Sequence, residues 1–307
     1  MSPPQSRGLV HSVQTRLKNQ AQESSRPFAE LLELYAIERF LHRLGRSPHR
    51  NQFVLKGALL LRHWLGADTR PTRDIDLLGP VDLSEERLHD LLAGFMRIAV
   101  EDDGIEFALD SIAVQPIRAG STVLGLRAKF DALLGRTRLR YQVDVGLGDA
   151  VFPETVDLVP GGLLGMPVAS VRAYTPYTTI AEKVEAMVVL GEANSRTKDY
   201  YDLVALPRAL AFDGPTLVES IRRTFARRAT RIPSEPLEGL ADAFARKPLQ
   251  ADRWRGFLDK NRLTVVEDDL TGVVSAIRRF AQPVLNAVRD DLPFQRQWPI
   301  GGPWRSA

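Results

Sequence analysis

The 307-residue chain contains no cysteine. That excludes disulfides, thiolate zinc sites and cysteine nucleophiles together, and it fits a reducing compartment. The five histidines, His11, His42, His49, His63 and His89, stand at no metal-ligand spacing. No apolar run approaches the roughly eighteen residues needed to cross a bilayer, and the first residues lack the apolar core of a signal peptide. The expectation is a protein of the cytoplasm with no membrane association. Aromatics make up only 7% of the residues, and no interleaved aromatic and basic platform for stacking bases is visible. An excess of one charge is missing as well: 41 basic against 38 acidic residues leave +3. Attraction to an acidic partner must therefore come from local clustering. Gly-x-Ser-x-Gly, P-loop and dinucleotide fingerprints do not occur, nor do internal repeats or low-complexity segments.

What is present is a core-forming chain, 44% hydrophobic, with one stretch of unusual chemistry. Phe53 to Leu78, FVLKGALLLRHWLGADTRPTRDIDLL, reads as a strand end, a Lys56-Gly57 turn, an amphipathic helix, a polar loop and a second strand. Asp74 and Asp76 interrupt the apolar run of that second strand. Residues i and i+2 of a strand share a face, so the two carboxylates point the same way, roughly 6 to 7 Å apart at their Cα atoms. Like charges on a buried-type strand are costly unless a cation lies between them. Oxygen ligands at this spacing suit Mg²⁺ or Mn²⁺, which bind through one or two carboxylates plus substrate phosphates. The bland alternative is an edge strand whose acids face water. The Lys56-Gly57-Ala58 turn places free N–H groups at a helix start, a place that accepts phosphate. Thr72 is expected to share the face of Asp74, and Arg70 and Arg73 add positive charge.

Around this stretch the periodicity predicts two helices over residues 7–46, the second starting at Pro27, and a helix capped by Ser84 that runs to about Val100. Strands are predicted over 105–109, 111–117, 123–133 and 138–145, with turns at Gly104, Gly120 and Gly135. From Thr175-Pro176 onward the pattern is helical, with a hydroxyl cap expected at its start. The predicted organisation is residues 1–174 as N-terminal helices and a sheet domain, 175–290 as a helical domain, and 291–307 as a tail. The fold class is α+β, with a mixed sheet.

Four further features carry two readings each. Asp144, at the end of the strand Arg138 to Gly146, is either a turn-capping aspartate or a third carboxylate beside the pair. Lys183, in Ala181-Glu-Lys-Val-Glu-Ala-Met187, either reaches a phosphate and balances its charge or, as spacing alone favours, is a solvated lysine paired with acids of its own helix. Lys198, Asp199 and Asp202 form either an i,i+4 ion pair with a capping acid or a charged lining. Arg222, Arg223, Arg227, Arg228 and Arg231 make a basic stripe suited to an RNA backbone, or a solvated helix face. Arg136, Arg138 and Arg140, on alternate strand positions, are a second candidate.

KGALLL followed by RPTRDIDLL resembles the opening motif of the AbiEii-type nucleotidyltransferase toxins, a branch of the DNA polymerase β-like superfamily. Lys56, Gly57, Arg70, Thr72, Asp74 and Asp76 match it, while Ala58 stands where Gly or Ser is more usual. The VDVG strand, the Ala-Glu-Lys-x-Glu-Ala segment and the Lys-Asp-x-x-Asp-Leu segment are similar to later motifs of the same family, in the same order. The resemblance covers about residues 25–290. It implies a polymerase β-like sheet domain and a helical domain, with a site in the cleft between them. It implies Mg²⁺ or Mn²⁺ on Asp74, Asp76 and Asp144, phosphates gripped by Lys56, Gly57, Thr72 and Arg73, Lys183 neutralising charge, and Lys198 and Asp199 orienting nucleotide or acceptor. The implied reaction moves a nucleoside monophosphate from an NTP to an acceptor hydroxyl, with RNA and in particular the 3′ end of tRNA as leading candidate. The implied role is the toxin of a type IV-like toxin–antitoxin or phage-defence pair, with a cognate antitoxin. A protein or small-molecule acceptor, or a non-catalytic nucleotide-binding regulator, are the alternatives.

Overall fold

Why the charged stretch can exist at all follows from how the strands around it are ordered. The computed structural model describes residues 7–66, 69–119, 122–234, 237–267 and 269–306. It divides into two units, the first comprising residues to His63, Pro71–Gly148 and Val156–Ala173. The chain passes in order through α1 (Arg7–Glu23), α2 (Phe28–Arg46), β1 (Val54–Lys56), α3 (Ala58–Leu65), β2 (Asp74–Gly79), α4 (Glu85–Met96), β3 (Ile105–Ala119), β4 (Thr122–Leu134), β5 (Thr137–Leu147), β6 (Val156–Leu158) and β7 (Val171–Ala173). The seven strands form one mixed sheet in the order β3-β4-β5-β2-β1-β7-β6. β2 runs parallel to β5 and β1 parallel to β7, and the other pairs are antiparallel.

Residues 105–109 and 111–117, predicted as two strands, are one. Its pairing with β4 steps from Ala108↔Asp131 to Ala113↔Lys129, a bulge that absorbs the extra residues. Ser111 stands in for the interrupted ladder: its hydroxyl donates to the Ala108 carbonyl at 2.5 Å and accepts from the Asp131 N–H at 2.8 Å. The turn expected at Gly120 lies outside the described residues. α4 begins at the Ser84 cap, which accepts from Arg87 N–H at 3.1 Å, but ends at Met96, short of Val100.

The apolar stripe of α2 packs on one sheet face. Phe40 stacks on Phe130 at 5.5 Å and meets Phe107 edge-on at 6.2 Å. Less expected is that α2 is buried on its polar side too. The loop between β6 and β7 covers it: Glu38 accepts from Leu163 N–H at 2.8 Å, Arg39 donates to the Pro167 carbonyl at 2.8 Å, and His42 Nδ1 accepts from Ala169 N–H at 2.9 Å. A Cβ on Gly45 would stand 2.6 Å from the Ser170 carbonyl oxygen, so only glycine lets this loop close. Burial raises the pKa of Glu38 against the loop N–H groups that lower it. Arg43 and Asp103 form a buried bidentate pair at 2.7 and 3.2 Å, and the Asp103 carbonyl accepts from Tyr35 at 2.7 Å.

The second unit takes Trp64–Arg70, Asp149–Thr155 and everything from Tyr174. It contains α5 (Pro176–Leu190), α6 (Thr197–Ala209), β8 (Phe212–Asp213), α7 (Gly214–Arg227), α8 (Asp242–Ala245), α9 (Pro248–Asn261), α10 (Leu270–Arg289), β9 (Arg296–Trp298) and β10 (Arg305–Ser306). Its core is apolar helix face, including Ile180, Leu203, Leu217, Ile221, Val273 and Ile277. Thr175 does not cap α5 with its hydroxyl. Residues 291–306, within the segment predicted as a tail, belong to this unit. β9 pairs with β8 and β10 with β9. Trp298 and Trp304 pack on Phe280 at 4.9 and 5.6 Å, and their indole N–H groups bond the Pro207 and Phe280 carbonyls. Trp298 and Trp304, with Phe294 edge-on against Trp304 at 4.9 Å, supply the burial that a proline- and glycine-rich composition concealed.

Arg43→Ala leaves Asp103 charged, buried and short of its partner. The expected loss is about 3–5 kcal/mol, read as a shift of the denaturant midpoint.

Candidate active site

Strand register assembles the site in the first unit. Lys56 pairs opposite Asp76, Asp76 opposite Asp144, and Asp144 opposite Arg127. Residues in register share a face, so four neighbouring strands, β1, β2, β5 and β4, carry one transverse row of charge: plus, minus, minus, plus. At about 4.8 Å between strands the row spans roughly 14 Å. Asp74 sits two residues before Asp76 on the same face, in register with Gln142 and Lys129. The core residues Ile75, Leu77, Val143 and Val145 alternate with these and are fully buried. The apolar face fixes the polar one.

Arg127 was not among the residues expected from the sequence. Its guanidinium clasps Asp144 with Nε to Oδ1 at 2.8 Å and Nη2 to Oδ2 at 2.7 Å, and Gln142 adds a bond to Oδ2 at 3.2 Å. The bond to Asp144 raises the pKa of Arg127, partial burial opposes that, and the fields of Asp144, Asp74 and Asp76 raise it further. One guanidinium thus answers three carboxylates. The signal for it was present: Arg127, Lys129 and Asp131 alternate with the buried Leu126, Ala128, Phe130 and Ala132.

Gly57 has φ +75° and lies directly beneath Asp76: a Cβ there would sit 2.0 Å from Oδ2. The Lys-Gly turn therefore serves two purposes, a left-handed backbone and close approach of a carboxylate. The Thr72 hydroxyl, expected to face a ligand, donates to the backbone carbonyl of Asp74 at 3.3 Å. Arg73 is exposed and pairs with Glu33 at 2.7 Å.

The donor set consists of hard carboxylate oxygens on one sheet face, which suits a Mg²⁺ ion held by one or two carboxylates with phosphates and water completing its shell. Asp74 and Asp76 fit that role. Among the described residues no three His, Asp or Glu side chains are arranged to hold a metal, and both oxygens of Asp144 accept hydrogen bonds from Arg127.

In the second unit the later motifs meet one another. Lys183 contacts Asp199 at 2.7 Å and Asp202 at 2.6 Å, Arg70 binds Asp202 bidentately at 2.7 and 2.8 Å, and Arg196 reaches Asp199 at 2.7 Å. Both acids are buried. Lys183 is thus paired, but with acids of the next helix and away from water, and not with those of its own. Burial would push the Lys183 ammonium down, yet Asp202 and then Asp199 outweigh it and hold its pKa above the ordinary value. Burial would raise Asp202, yet Lys183 and Arg70 outweigh it and hold the carboxyl low. Arg70, read from the sequence as charge beside the paired acids, is the bidentate partner of Asp202. Lys198 is exposed.

A family model described as the nucleotidyl transferase AbiEii toxin of type IV toxin–antitoxin systems matches residues 39–276. Among solved structures, the chain is similar to a candidate nucleotidyltransferase from H. pylori, with 15% identity and a TM-score of 0.46, covering 87% of this chain and 99% of that one. It is also similar to JHP933 from Helicobacter pylori, with 15% identity and a TM-score of 0.48, covering 86% and 94%. No curated protein matches in sequence.

Two outcomes follow from this geometry. Gly57→Ala costs about 1–2 kcal/mol from the left-handed backbone alone and displaces Asp76, so nucleotide binding, measured calorimetrically with and without Mg²⁺, is lost while the fold persists. The stabilisation from Asp202 is present above the ordinary aspartate value of 3.8 and disappears as pH falls below it. That from Lys183 is present below 10.5 and disappears as pH rises above it. In thermal melts across pH, Asp202→Asn lowers the plateau and flattens the acid limb.

Proposed function

The chain belongs to the AbiEii nucleotidyltransferase toxin family of type IV toxin–antitoxin systems, and from that premise we propose that it transfers a nucleoside monophosphate from an NTP to a hydroxyl of RNA, the 3′ end of tRNA foremost. The observation that carries the reading is the four-strand row Lys56–Asp76–Asp144–Arg127 with Gly57 pressed beneath Asp76. Cations at both ends of a carboxylate pair match a substrate that brings a divalent metal and a polyphosphate together.

Asp74 and Asp76 would hold Mg²⁺ or Mn²⁺, which supplies charge neutralisation on the phosphates when bound. Lys56 and the N–H groups of the Gly57 turn grip the leaving phosphates, and Arg73 adds charge beside them. In the reaction the acceptor oxygen attacks the α-phosphorus, the bond from the α-phosphorus to the bridging oxygen breaks, and pyrophosphate departs with that oxygen. Asp144, aligned by Arg127, receives the acceptor's proton. Thr72 holds the β2 approach in place through the Asp74 carbonyl. In the helical unit, Lys183, Lys198 and Asp199 are assigned to nucleotide binding from the family motif, with the charge of Lys183 set by Asp199 and Asp202. As the toxin of a type IV pair, read here as serving phage defence, it has a cognate antitoxin for a partner.

The test is purified protein with Mg²⁺, total tRNA and each α-labelled NTP in turn, resolved on a denaturing gel. Label enters RNA with a preferred NTP, and Asp76→Ala reduces it by roughly 10²–10⁴-fold. Folded protein that labels no RNA with any NTP overturns the RNA acceptor, and label on protein alone reassigns the acceptor to protein.

A further inference from the structure

Two basic surfaces are legible in the sequence, and the structure leaves only one of them cationic. On α7, Arg222 and Arg223 both bind Glu219, at 2.9 and 2.6 Å, and Arg222 also reaches Asp291 at 3.0 Å. Arg228 lies beyond the helix, held by Glu185 at 2.7 Å, Asp149 at 3.0 Å and Glu182 at 3.4 Å. The helix ends at Arg227, so Arg231 does not extend the stripe. This surface is interleaved with carboxylates and is close to neutral.

The sheet surface differs. Arg138 and Arg140 share one carboxylate, Asp131, at 3.7 and 3.3 Å, and their side chains are 67% and 76% exposed. Arg140 uses only Nε in that contact, and its two terminal NH₂ groups make no bond among the described residues. Lys129 is exposed and has no ion-pair partner among the described residues. Lys129, Arg138 and Arg140 thus have one ion-paired acid among them, Asp131.

Register ties them to the site. Along the polar face, the row Asp76–Asp144–Arg127 is followed by Asp74–Gln142–Lys129 and then by Arg140–Asp131. These last two rows and Arg73 line a cavity of about 470 Å³ with Asp74 at its edge. In the sheet order this cavity and the Gly57 turn lie on opposite sides of β2.

We propose that this β4–β5 surface, through Lys129 and Arg140 with Arg138 behind them, binds the phosphodiester backbone of the acceptor strand beside its reacting hydroxyl. The inference rests on the nucleotidyl-transfer reading above and extends it to the acceptor. Phosphate contacts position a strand without reading its sequence, and an arginine with two NH₂ groups available is suited to bidentate phosphate binding. A small neutral acceptor would have no use for three exposed cations along the approach to Asp74.

The test uses the full chain and short single-stranded RNA and DNA of one sequence, with binding followed by anisotropy across a KCl series. Lys129→Gln/Arg140→Gln is the main variant, Lys129→Glu/Arg140→Glu the stronger one, and Arg222→Glu/Arg223→Glu the comparator on α7. Binding of Mg²⁺–NTP is measured on each. Loss of two phosphate contacts makes the slope of log affinity against log salt shallower by about 1.4 and weakens binding about tenfold or more at low salt. NTP binding and the comparator stay unchanged. Tighter binding of RNA than of DNA identifies the sugar of the acceptor, and equal binding identifies the backbone alone. Undiminished affinity and slope in the glutamine variant overturn the proposal, as does a loss that appears in the α7 variant instead. A wild-type chain that binds neither strand also overturns it. If that chain still binds Mg²⁺–NTP, nucleotidyl transfer stands with a different class of acceptor.

Discussion

Two carboxylates cannot be set side by side on neighbouring strands without cations to answer them. Asp76 and Asp144 are in register on β2 and β5, and that juxtaposition determines much of the first unit. Lys56 must stand on one flank and Arg127 on the other. β1 must stop after three residues and turn through a glycine, because the Asp76 carboxylate occupies the space a side chain would need. β4 must run long enough beside β5 to deliver Arg127. The row is a mutual constraint in which each charge makes its neighbour tolerable.

A sheet that offers one face to chemistry must bury the other completely. α2 does this with its aromatic stripe against Phe107 and Phe130. It is held there by a polar side that is itself covered, through Glu38, Arg39 and His42 bonding the backbone of the β6–β7 loop. Buried charge is costly, and these groups meet a carbonyl, an N–H or, for Arg43, a carboxylate, while Arg39 Nε and Nη2 have no hydrogen-bond partner among the described residues. The helical unit applies the same rule with Arg70, Lys183 and Arg196 around Asp199 and Asp202.

The same comparison of partners separates structural arginines from those available to a ligand. Each arginine of the α7 stripe with a partner named here meets an acid, while Arg138 and Arg140 divide one between them. Sequence clustering of basic residues does not indicate where positive potential lies. The placement of carboxylates around them does, and that is a property of the folded chain.

Local pattern determined a good deal by itself. Alternation placed Asp74 and Asp76 on one strand face, the glycine after Lys56 marked the turn, and the Ser84 cap began a helix, because each depends on neighbours two to four residues away. Three things depended on tertiary structure. Arg127 entered the site through strand pairing across seventeen residues, which no local period reports. The polar residues of α2 became buried because a loop more than 120 residues later covers them. Residues 291–306 joined the helical unit because two tryptophans found Phe280, a contact invisible in a proline- and glycine-rich composition. Short-range sterics and periodicity are written in the order of residues, whereas which charges are answered, and by what, is decided only when distant segments meet.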